Sequence, residues 1–76
     1  MGYRVVFEYQ TETSAMSDVY NHGNLESAQQ QFDELRQQLI VAIDPTTSKV
    51  VDEPDLYGVT NRQAECYGFV RIDEIN

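Results

Sequence analysis

Internal disulfides are excluded by count, because Cys66 is the only cysteine in 76 residues. Small secreted domains usually carry several bridges, so a reducing compartment is the expectation. Long hydrophobic runs are also missing. No stretch approaches the roughly 20 apolar residues of a membrane span. The opening Met-Gly-Tyr-Arg-Val-Val-Phe-Glu has no signal-peptide core. These absences point to a soluble, cytoplasmic chain with no membrane partner. The four glycines are scattered (Gly2, Gly23, Gly58, Gly68), so no phosphate-cradling loop exists. A single histidine, His22, cannot build a Ser-His-Asp constellation. With neighbours such as Asp18 and Asn24, it reads as a surface turn residue.

Positive charge is scarce. Five Lys and Arg stand against thirteen Asp and Glu, a formal net charge of −8, and no base falls between Arg4 and Arg36. Such a field repels phosphate backbones, so direct nucleic-acid binding is not expected; a basic protein would be attracted and its encounter accelerated. The densest acidic cluster, Asp52, Glu53 and Asp55 with Asp44 nearby, lacks the regular ligand spacing and turn glycine of a calcium loop, and Pro54 interrupts it. It reads as a solvated acidic loop, and no metal or cofactor is expected. Cys66 is flanked by Glu65 in an acidic chain, which disfavours a thiolate, so it reads as a small buried hydrophobe.

What is present is enough for one folded domain, residues 1–76. Hydrophobic content is 41%, with five tyrosines and three phenylalanines. At this length only about 60% of the unfolded surface is buried, which leaves a thin core. Leu25, Ala28, Phe32, Leu35, Leu39 and Ala42 recur at steps of three and four, predicting an amphipathic helix across Asn24–Ile43. Asn24 suits the N-cap and Glu26 the first turn. Two endings compete. The helix runs to Ala42 until Asp44-Pro45 stops it, or it stops near Gln38 and residues 40–44 pair with 49–52 across Pro-Thr-Thr-Ser.

Residues 3–10 alternate, with Tyr3, Val5, Phe7 and Tyr9 on one face and Arg4, Val6, Glu8 and Gln10 on the other, predicting a strand. Residues 15–20 alternate more weakly, with Met16 and Tyr20 turned inward, followed by a turn over Asn21-His22-Gly23-Asn24. Lys49-Val50-Val51 is at most a short strand, and residues 56–60 are strand or irregular. Residues 64–75 form a second strong strand. Ala64, Cys66, Gly68, Val70 and Ile72 share one face; Glu65, Tyr67, Phe69, Arg71 and Asp73 share the other. The expected fold is α+β: a two-layer sandwich of three to four antiparallel strands with one helix on one face, ββαβ or ββαββ.

In that arrangement Tyr67 and Phe69 face away from the helix with Arg71, as do Val6 and Glu8. These five are the candidate binding residues, since aromatics with a charged rim are enriched at interfaces. No residue is assigned a catalytic role. The expected function is that of a small acidic interaction module docking to a basic partner, of the inhibitor, immunity or mobile-element accessory type. Some such chains mimic nucleic acid by charge. An obligate homodimer of structural role is the alternative, and a metal-dependent or thiol enzyme is further off.

Overall fold

The computed structural model describes residues 2–75. Strand β1 (Gly2–Gln10) is followed by β2 (Ala15–His22), helix α1 (Leu25–Ala42), a 3-10 turn (Pro45–Thr47), β3 (Lys49–Glu53), β4 (Leu56–Asn61) and β5 (Cys66–Ile75). The strands form one antiparallel sheet in the order β2-β1-β5-β4-β3, and α1 crosses one face. The fold is α+β and two-layered, as the pattern of apolar faces required. The sheet has five strands, however, and the order of elements is ββαβββ.

The additional strand comes from residues 49–61, where β4 alternates in burial but β3 gives almost no signal. All five residues of β3 are exposed. This strand is held by its ladder to β4, from Lys49 opposite Thr60 to Glu53 opposite Leu56, and a backbone ladder leaves no mark in the side-chain pattern. Asp52 and Glu53 therefore belong to a strand. The expected acidic loop shrinks to the two-residue turn Pro54-Asp55.

The helix does run to Ala42. Its N-cap is Asn24, whose side chain accepts from the Ser27 amide at 2.8 Å. Ile43 closes it by donating its amide to the Leu39 carbonyl at 2.9 Å while its own backbone is extended. Asp44, extended before Pro45, then caps the 3-10 turn by accepting from the Thr46 amide and hydroxyl at 2.9 and 2.7 Å. These bonds hold the Asp44 carboxyl below the usual carboxylate range. The hairpin between residues 40–44 and 49–52 is absent.

The stripe Ala28, Phe32, Leu35 and Leu39 is buried against Val5, Phe7, Tyr57, Val59 and Val70. Its ends are shifted from expectation. Leu25 is 50% exposed because the first helical residue overhangs the sheet, and Ala42 is exposed, while Ile43 just past the helix enters the core.

Strand β2 extends through Asn21 and His22, leaving only Gly23-Asn24 to turn. Met16 and Tyr20 do face the helix side, opposite Tyr9 and Val5. Tyr20 packs on the core, but Met16 stays 43% exposed at an edge the helix does not cover. Strand β5 starts at Cys66 rather than Ala64, because Glu65 takes a positive φ of 52° in the turn before it. The two faces of β5 are as the alternation implies, with Gly68 and Val70 buried under the helix and Tyr67 exposed.

Tyr57 sits in the core at 2% exposure, and its hydroxyl has no hydrogen-bond partner among the described residues. Burial raises its pKa above that of an ordinary phenol. An unfolded chain then ionises first, so the stability Tyr57 contributes is complete below the ordinary phenol range and declines as pH rises through the folded value. Tyr57→Phe is expected to add about 1 kcal/mol at neutral pH by removing an unpaired buried hydroxyl. It should also flatten the alkaline fall in stability. Urea melts of both proteins at neutral and alkaline pH test this, and a clear loss of stability in the variant contradicts it.

Candidate functional sites

The cross-strand register sorts the charges between the two sides of the sheet. On the side away from the helix lie Arg4, Glu8, Lys49, Glu53, Arg71 and Asp73. Three bases meet three acids, so this open face carries no net formal charge. All of the −8 resides on the helix side, the turns and the ends.

The open face brings together the five residues expected from the sequence. Val6 stands opposite Arg71 and Glu8 opposite Phe69 on neighbouring central strands, with Tyr67 opposite Gln10. The Arg71 guanidinium lies 5.5 Å from the centre of the Phe69 ring and pairs with Asp73 at 3.1 Å. The Tyr67 hydroxyl donates toward Glu8 or Gln10, each at 3.4 Å. Val19, Val51 and Leu56 extend the apolar surface along the same rows of the register, and Val19 and Val51 are about half exposed. No helix or connecting segment of the described residues crosses this face.

A second site, which sequence reasoning missed, lies on the helix side. An open groove of about 530 Å³ runs between the first half of α1 and the β3–β4 turn, lined by Tyr3, Leu25, Gln29, Pro54, Asp55, Ile72 and Glu74. It continues along the helix past Phe32, Asp33, Arg36, Asp52 and Glu53, sharing Gln29 and Pro54. Together they form one trough with an apolar floor and a carboxylate rim. The Ile72 amide donates to the Asp55 carbonyl at 2.9 Å and fixes the turn against β5. Arg36 is the one base in the lining, and Asp52 engages it at 2.9 Å. That bond holds the guanidinium charged beyond its ordinary range, and it lies 5.1 Å from the centre of the Tyr57 ring. The remaining rim carboxylates, Asp33, Asp55 and Glu74, form no ion pair among the described residues. Leu25 at the end of the helical stripe and the acidic run Asp52, Glu53 and Asp55 are the sequence signals of this trough. Its other residues are dispersed from position 3 to position 74.

His22 is not a turn residue. Its Nδ1 lies 3.0 Å from the Ser27 hydroxyl, and its Nε2 meets the Gln31 side-chain oxygen. Both ring nitrogens are engaged by neutral groups that tie β2 to the start of α1. Cys66 is half buried beside the core. Among the described residues no group of three or more His, Cys, Asp or Glu is placed to hold a metal ion. No helix of the described residues is long and apolar enough to cross a membrane.

The fold and these two surfaces define a single-helix α+β sandwich with one open face of balanced charge and one acidic trough. Comparison with known protein families, curated proteins and solved structures finds no match.

Proposed function

We propose that this chain is an acidic docking protein that captures a basic protein segment in the trough between α1 and the β3–β4 turn. The observation that carries this reading is the pairing of an apolar floor (Tyr3, Leu25, Pro54, Ile72) with carboxylates on the rim (Asp55, Glu74). Lysine and arginine side chains are built to match. Their aliphatic stems lie on apolar surface while the charged head reaches a carboxylate. The excess negative charge outside the open face steers such a segment from a distance and speeds capture at low salt. An inhibitor, immunity or accessory role acting by occlusion of a basic surface, including one that otherwise holds nucleic acid, follows from the same chemistry.

A labelled peptide of about ten residues, rich in Lys and Arg, is the probe, and fluorescence anisotropy the readout. The double substitution Asp55→Asn with Glu74→Gln is expected to weaken binding about tenfold, or ~1.4 kcal/mol. Glu12→Gln with Glu65→Gln removes the same charge from distant turns and should change affinity about twofold or less by screening. Equal losses from the two pairs would reduce the effect to net charge and remove the trough from the mechanism.

A further inference from the structure

We infer that the open face of the sheet is covered by a second copy of the same chain, packed sheet to sheet with the acidic helix sides turned outward. The inference is independent of the trough, which lies on the opposite side.

Charge selects the occupant. A chain with a net charge of −8 ordinarily resists self-association, and a basic partner would be drawn to acidic surface. The open face offers that partner no net charge. It offers instead equal numbers of bases and acids: Arg4, Lys49 and Arg71 against Glu8, Glu53 and Asp73. A twofold interface sets one patch against itself, so it requires a surface that carries both signs. Glu8 and Arg71 stand in the middle of the face among Val6, Phe69 and Leu56, and the other four charges lie toward its ends and edge. Phe69 lies opposite Gly58 in the register, and Gly58 in turn lies opposite Val51, so beside the aromatic ring stands a residue with no side chain to obstruct a facing layer.

Area points the same way. Five strands about 4.8 Å apart, paired over about six residues of ~3.3 Å, give a face of roughly 24 by 20 Å. Corrugated side chains expose more than this flat projection, so the area approaches the ~800 Å² per partner of a standard interface. Two such faces would pack about 10 Å apart, as in a β-sandwich. The result is a four-layer particle, helix–sheet–sheet–helix, with a trough on each outer side.

The test is sedimentation velocity over a concentration series, from about 1 to about 200 µM, at about 50 and about 500 mM salt. A dimer is expected, and it should tighten several-fold as salt rises, because the interface is neutral and the repulsion between the two acidic outer sides is screened. Peptide capture in the trough should weaken over the same range, so one proposal can fail while the other stands. Phe69→Glu and Arg71→Glu should each raise the dissociation constant at least about tenfold, with circular dichroism confirming the fold. Val19→Glu is a second probe of the same face at a residue already 54% exposed. A monomer throughout the series overturns the inference. So does a dimer indifferent to all three substitutions, which would place the contact elsewhere, such as the uncovered edge of β2.

Discussion

Phe32→Ala is expected to lower stability by about 3–5 kcal/mol, the usual range for truncating a buried phenylalanine. Phe32 is 2% exposed at the middle of the helical stripe, where it is part of the cluster that joins α1 to the central strands. Folded domains are stable by only ~5–15 kcal/mol, and a short chain sits toward the lower end. The variant should therefore be partly unfolded at room temperature, or melt well below the wild type. Leu25→Ala is the control. That side chain is half exposed on the same helix, and its loss should cost about 1 kcal/mol or less. Urea titration followed by circular dichroism measures both. If the two variants melt alike, α1 does not pack on the sheet through the stripe described here.

Gly68→Ala is the second large effect. Gly68 lies on β5 directly beneath the helix, and a Cβ there would stand 2.6 Å from Leu39 Cδ2, 3.0 Å from Tyr9 Cβ and 3.3 Å from the Glu8 carbonyl. Leu39 is fully buried, so its Cδ2 can give way only by displacing packed neighbours, and the Tyr9 Cβ and Glu8 carbonyl contacts remain. Overpacking of this kind costs about 1–3 kcal/mol. Shortening the obstructing side chain should relieve part of it, so Gly68→Ala combined with Leu39→Ala is expected to cost less than the two single losses added. Gly58→Ala is the counter-case. Its nearest contact would be Phe69 Cβ at 3.9 Å, an ordinary distance, and it should be neutral or slightly stabilising because the unfolded chain loses freedom. A stable Gly68→Ala protein would mean that the helix stands further from the sheet than these distances state.

Legibility in the sequence followed burial. The helix, β1 and β5 each bury one face, so their periodicity was visible, and with it the placement of Tyr67, Phe69, Arg71, Val6 and Glu8 away from the helix. Strand β3 has no residue in the core, and its existence depends on the β4 ladder, which no local pattern of Lys49 to Glu53 encodes. His22 was misplaced because turn-forming neighbours, Asn21 and Gly23, outweighed its long-range bonds to Ser27 and Gln31. The trough could not have been assembled at all. Tyr3, Leu25, Asp55 and Glu74 belong to four separate segments that only the strand order brings to one place. The partition of charge was hidden for the same reason. Whether an acid faces the helix or the open side depends on register, and register for β3 and β4 came only with the structure.

The central ladder joins the first strand to the last, with Gly2 opposite Ile75 and Gln10 opposite Tyr67. On a ribosome, β1 and β2 can form their hairpin early, but the middle of the sheet cannot knit until β5 has left the exit tunnel. Until then α1 lacks the part of its floor that β5 supplies, Gly68 and Val70. Such non-local closure makes folding slow for so small a chain.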